Sequence, residues 1–391
     1  MNNIKLKTLL LLQQASEQRT LEGLTEFYMV NLPYLQDYTI INSTETDHSI
    51  DLYSLFSDIA NVKGQVYTPF CGGKVNIVNE SIARRGVMTG DGKAGVQGYI
   101  SFDTQVISYF YRYYRKQINS LPQNIDDILH LLHTKPMGVE YLPYTIENLI
   151  FFNKNVPEVR NTIYAIERLY YKNRAPRLYC LQRANRIIRR YNKWRKNEDS
   201  IFVKTYYLIY ATLLKMCYIQ LKHKNRSLKQ KMIELCDFMN VELCVMMQPE
   251  LILAKYYFEQ GQKCLFFGKI QRNNEKVLDN IRNMAWDLFH LRMLEEGCTI
   301  RMNNKADVNI PYFCTYDQRL LNVKDCYELK SMAINYRTGE KFSFYSKTEE
   351  IVEYLQEYGT GKQLVSRVEQ RQEVDTKGLI LQLENAIQNI Q

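Results

Sequence analysis

The chain has 391 residues, 46% of them hydrophobic and 24% charged, with a formal net charge of +9. These are globular proportions, with length enough for one or two domains around a large core, and they exclude a collagen-like, low-complexity or disordered chain. The positive balance favours a polyanionic partner, and nine cysteines with no C-x-x-C pair or regular spacing exclude a small disulfide scaffold and predict a reducing, cytoplasmic setting.

In chain order, Ile4 to Tyr34 reads as one amphipathic helix or two short ones, with Leu6, Leu9, Leu10, Leu24 and Phe27 on the core stripe. The Leu9–Leu12 run is too short to span a bilayer and is closed by Gln13, Gln14 and Glu17. No small-residue cleavage site follows it, so no membrane partner is expected. Gln36 to Ser49 is polar and reads as loop, and Asp51 to Ala60 returns to a helical pattern. Gly64 to Gly98 is glycine-rich but lacks both G-x-x-x-x-G-K-[ST] and G-x-G-x-x-G, so it reads as loop without a phosphate cradle.

Tyr99 to Phe102 is a short β-prone run after a breaker, ended by Asp103 and followed at once by a helix through Val106, Ile107, Phe110 and Tyr114. Asp126 and Asp127 open another helix, and Leu142-Pro143-Tyr144 leads into a third that carries Glu147 near its start. From Lys154 to Lys231 the composition shifts to 20 basic against four acidic residues, a net +16 that leaves the rest of the chain at −7. Arg183, Arg186, Arg189, Arg190, Lys193 and Trp194 cluster within it, with Tyr179 and Tyr191 among them. Arginine grips phosphate bidentately and aromatic rings stack on unpaired bases, so this stretch is the expected nucleic-acid surface. Pro176 divides it, and Tyr206 to Leu221 supplies a buried helix.

Met232 to Phe258 is helical with a break at Pro249, after which Glu250 stands at a helix start much as Glu147 does. Val277 to Glu296 is helical, with Asp287 among Ala285, Trp286 and Leu288, and Gly297 stops it. Ile310 to Thr315 reads as a buried strand with Asp317 just beyond its C-terminal end, where an open α/β sheet places its ligands. His290, three residues beyond Asp287, reads as a surface histidine. A hairpin follows from Ser331 to Ser346, turning at Thr338-Gly339, then a helix from Glu349 to Tyr358 and an appended helix after Gln370.

The acids thus come in the order Asp103, Glu147 or Glu250, Asp287 and Asp317. Converging without cations, four carboxylates would repel one another and shift towards protonation. One or two oxygen-liking divalent ions, Mg²⁺ or Mn²⁺, relieve that, orient a phosphate and activate water. Ser101-Phe102-Asp103-Thr104-Gln105-Val106-Ile107, Ala285-Trp286-Asp287-Leu288 and Cys314-Thr315-Tyr316-Asp317 resemble the motifs of the PIN-domain nuclease superfamily, with Gln105 in place of the commoner Asn.

The resemblance implies a three-layer α/β core with a short parallel sheet, catalytic and metal-binding roles for Asp103, Glu147 (or Glu250), Asp287 and Asp317, and hydrolysis of phosphodiester bonds, in RNA more than DNA. The core would run over 98–156 and 242–335, interrupted by a basic helical insertion at 157–241 and flanked by a helical and loop region at 1–97 and a hairpin and helices at 336–391. Toxin or defence systems, with an antitoxin or other protein partner, are the settings it brings. The rival reading is a non-enzymatic, helical nucleic-acid-binding protein.

Overall fold

The computed structural model describes residues 3–46, 49–56, 65–89, 94–134, 138–151, 155–195, 200–303, 306–356, 358 and 374–390. Near the start lie helices α1 (Asn3–Ala15), α2 (Leu21–Val30) and α3 (Leu32–Leu35), then strands β1 (Tyr38–Ser43), β2 (Ile50–Asp51), β3 (Val66–Tyr67) and β4 (Lys74–Val78). Helix α4 (Glu80–Thr89), strand β5 (Val96–Phe102), helices α5 (Thr104–Tyr114) and α6 (Ile125–Thr134), and strand β6 (Gly138–Glu140) follow. The helical middle comprises α7 (Leu142–Ile146), α8 (Val156–Tyr170), α9 (Arg177–Arg195), α10 (Ile201–Lys222), α11 (Leu228–Asp237), α12 (Gln248–Gln260) and α13 (Val277–Gly297). The last third adds β7 (Thr299–Asn303), β8 (Ala306–Cys314), α14 (Gln318–Leu321), β9 (Leu329–Asn335), β10 (Lys341–Tyr345), α15 (Val352–Leu355) and α16 (Thr376–Gln388).

The architecture is mixed α/β with two small sheets. In one, β5 lies between β6 and β8 and runs parallel to both, with Tyr99 opposite Pro311 and Phe102 opposite Cys314. This is the pairing expected of the two acid-terminated strands. The sheet is not wholly parallel, however, because β3 and β7 pair antiparallel along the other edge of β8. The second sheet is antiparallel, in the order β10-β9-β1-β4-β2.

The second sheet corrects the reading of Gln36 to Ser49 as loop. Tyr38–Ser43 is a fully buried strand between β9 and β4. Its polar side chains are satisfied inside the protein: Asn42 Nδ2 donates to the Ala15 carbonyl (2.7 Å), Ser331 Oγ to Asn42 Oδ1 (2.6 Å), and Ser43 Oγ to the Leu329 carbonyl (2.6 Å). Buried polar groups so paired cost little. Alternation along the strand sends Ile40 into a small cluster with Leu12, Leu24 and Tyr28, and Ile41 into the main core.

The expected stripe on α1 was out of phase. Leu6 and Leu10 are exposed, whereas Leu11, Leu12 and Ala15 are buried. The helical run breaks over 243–247, and Pro249 lies in the first turn of α12, the position where its missing N–H costs nothing. The basic helices share one hydrophobic cluster with β5, β8 and α13, joined through residues such as Ile163, Ile188 and Leu213. Among the described residues no helix is long and apolar enough to cross a membrane. All nine cysteines are free thiols.

Candidate functional site

The parallel strands β5 and β8 end side by side, and each delivers an acid to the same edge. Asp103 caps the start of α5, its Oδ1 accepting from the Gln105 N–H, and its own N–H donates to the Cys314 carbonyl (3.0 Å). Thr315, directly after β8, donates its hydroxyl to Asp103 Oδ2 (2.6 Å) and accepts the Asp317 N–H (3.0 Å). One fully buried hydroxyl therefore joins the first and last acids. Asp317 caps α14 and is held by Arg319, whose Nη2 donates to Oδ2 (2.7 Å) and whose N–H donates to Oδ1 (2.8 Å).

Glu147 opens a π-helical turn, Glu147–Phe151, that continues α7. It accepts a hydrogen bond from Thr104 Oγ1, the residue after Asp103. Asp287 projects from the middle of α13. Among the described residues its carboxylate makes no hydrogen bond or ion pair, and Asp103, Asp317 and Glu147 are the charges it feels most. Burial, followed by those three carboxylates, pushes the Asp287 carboxyl well above its ordinary range. Burial also raises Asp103 against the pull of its Thr315 and Gln105 donors. For Asp317 burial acts upward, but the Arg319 hydrogen bonds and charge outweigh it and hold that carboxyl low.

Asp103 and Asp317 are thus joined through Thr315, Glu147 is tied to Thr104, and Asp287 feels the charge of all three, whereas Glu250 is not among them. Glu250 is buried in an ion pair with Arg292 (2.6 Å to Nη2, 3.1 Å to Nε) and accepts from Tyr327 Oη (3.1 Å). A carboxylate so neutralised has a structural task. Among the described residues no three His, Cys, Asp or Glu side chains stand ready around one point to hold a metal ion. The donor set still suits a hard divalent cation, because all four groups are carboxylates and one of them, Asp287, has no hydrogen-bond partner among the described residues.

His290 is not on the surface. It is buried with its ring against Trp286 and Phe313, Nδ1 has no hydrogen-bond partner among the described residues, and burial pushes its pKa down to about 3. It is a neutral core residue.

Two features of the site escaped sequence reasoning. Asn124 ties the segment before β3 to the strand-end loop, donating to Gln65 Oε1 (2.8 Å) and accepting from Tyr316 Oη (2.7 Å). Tyr67, on β3 opposite Phe313, is 5% exposed, and its hydroxyl has no hydrogen-bond partner among the described residues. Asp103 and Asp287 are the charges nearest to it in effect. No local signal marks either residue, since Asn124 reaches the site through Gln65 and Tyr316, and Tyr67 through β3, a strand two residues long.

The basic helix α9 divides by face. Arg186, Arg189 and Arg190 are exposed, as a surface for polyanions requires. Arg183 is not available to it, because Nε donates to Glu167 Oε2 (2.5 Å), a buried carboxylate that also accepts from Tyr141. Tyr191 is buried and bonded to Glu140, so it cannot stack on a base. Lys193 and Trp194 belong to α9, but their side chains lie outside the described residues. No protein-family model, curated protein or solved structure matches the chain.

Proposed function

We propose that the protein is a metal-dependent nuclease acting on phosphodiester bonds, in RNA by preference. The observation that carries the reading is the meeting of Asp103, Glu147, Asp287 and Asp317, from stretches as far apart as 103 and 317, at the C-terminal ends of adjacent parallel strands. Acids crowded and desolvated in this way are a functional signature more than a stabilising one. Thr315, Thr104 and Arg319 hold three of the carboxylates in fixed orientations, and among the described residues Asp287 has no hydrogen-bond partner. Mg²⁺ or Mn²⁺, when bound, would neutralise this charge and supply Lewis acidity towards a phosphate. The exposed arginines of α9 would hold the strand backbone.

Incubating wild type, Asp287→Asn and Asp317→Asn with labelled RNA and DNA in Mg²⁺, Mn²⁺ or EDTA tests this. Wild type should cleave RNA only with a divalent ion. Each substitution should slow cleavage by about 100-fold or more, a loss of roughly 3 kcal/mol of charge stabilisation, while leaving binding intact or tighter.

A second reading, a non-enzymatic nucleic-acid binder, is favoured by the exposed Arg186, Arg189 and Arg190 and by the lack of a ready three-ligand group among the described residues. It requires binding that survives both substitutions and no cleavage under any condition.

A further inference from the structure

Tyr67 has no structural use for its hydroxyl. The ring packs edge-on against Phe313 (centroids 5.3 Å apart, planes at 82°), and β3 is held to β8 through Val66 opposite Cys314 and Tyr67 opposite Phe313. That packing explains the ring but not the oxygen, which is buried with no hydrogen-bond partner among the described residues. A phenylalanine would fill the same space without leaving a donor unsatisfied.

Of the two acids nearest in effect, Asp103 already accepts from Thr315 and Gln105. Asp287 accepts from nothing among the described residues. Phe313 brings the two elements together, for the Tyr67 ring packs on it from β3 and the His290 ring, three residues past Asp287 on α13, packs on it at 5.1 Å, so a donor and an acceptor that are both unpaired among the described residues reach the same region. We propose that Tyr67 is a positioning residue of the acid site, its hydroxyl orienting the Asp287 carboxylate by a hydrogen bond when a divalent cation is bound. Among the described residues the two groups are not joined by a hydrogen bond. Ligand carboxylates oriented by such a neighbour bind metal more tightly, and the orienting residue need not touch the metal. The proposal rests on reading the acids as a cation site, though not on that site being a nuclease.

The test uses the full chain and Tyr67→Phe, which keeps the ring on Phe313. In EDTA the variant should melt at or above the wild-type temperature, since it loses a hydroxyl that has no partner. Mn²⁺ titrated by electron paramagnetic resonance should bind it about fivefold more weakly, the equivalent of one hydrogen bond. In an Asp287→Ala background the same substitution should change Mn²⁺ affinity little, because its acceptor is gone.

A variant that is destabilised in EDTA, or that binds Mn²⁺ as wild type does, overturns the proposal. If wild type itself takes up no Mn²⁺, the cation reading falls and this inference with it. Should Mn²⁺ bind in a Tyr67-dependent way while no nucleic acid is cleaved, the nuclease reading fails and the role of Tyr67 stands.

Discussion

At the scale of single residues, the core of this protein holds groups whose ionisation opposes folding, and His290 is the clearest. Its pKa lies near 3 in the folded chain against about 6.5 in an unfolded one. Below pH 6.5 the unfolded chain takes up a proton that the folded chain refuses, so stability is complete above that pH and falls as the solution is acidified. At pH 4.5 the penalty from this one residue is about 2–3 kcal/mol. His290→Leu should therefore lose less stability between pH 7 and pH 4.5 than wild type, measured by urea unfolding at both. Equal losses would mean that His290 is hydrated or paired. The acids behave differently from one another for reasons equally local: Asp317 is hydrogen-bonded to Arg319, whereas on Asp287 burial and the other acids outweigh the weaker pull of that same arginine.

At the scale of elements, α9 is one helix with two duties. Its inner side carries Ala184, Ile188 and Tyr191 into the core, and its outer side carries Arg186, Arg189 and Arg190. Changing these three arginines to Gln should lower the log–log salt slope of RNA binding by about 3 units while altering stability by less than about 0.5 kcal/mol each. Arg183→Gln should do the reverse, costing roughly 1–3 kcal/mol because Glu167 is left buried without its cation. Filter binding across a salt series, with melts on the same variants, separates the two sides.

The elements also show which parts of the fold a sequence can disclose. Tyr99–Phe102 and Ile310–Cys314 were legible because an apolar β-prone run ending on an acid is a local pattern, and the two pair in parallel as expected. Tyr38–Ser43 was not legible, since Thr39, Asn42 and Ser43 look like loop until their partners arrive from residues 15, 329 and 331. Glu147 and Glu250 were indistinguishable in sequence, each an acid near a helix start. The difference is made by Thr104 and Arg292, 43 and 42 residues away from them.

For the whole molecule, the C-terminal helix α16 acts as a brace. Ile380, Leu383 and Ile387 are buried, and Glu384 accepts from Tyr210 on α10 (2.6 Å) and Arg282 on α13 (2.8 Å). Deleting residues 374–391 should cost on the order of 5 kcal/mol from three lost aliphatic burials, a large part of a typical domain's stability. Because α13 carries Asp287, the deletion should lower Mn²⁺ affinity as well as the melting temperature. A truncated chain with the wild-type melting temperature would mean that α16 is only appended.

Strand β1 carries a consequence in time as well as in space. One side of it pairs with β4, which ends at Val78, and the other with β9, which begins at Leu329. On a ribosome adding about 5–20 residues per second, the roughly 250 residues between them take on the order of 12–50 s to make. For that interval the nascent chain carries a β-strand with one bare hydrogen-bonding edge, the kind of edge that recruits strands from other chains.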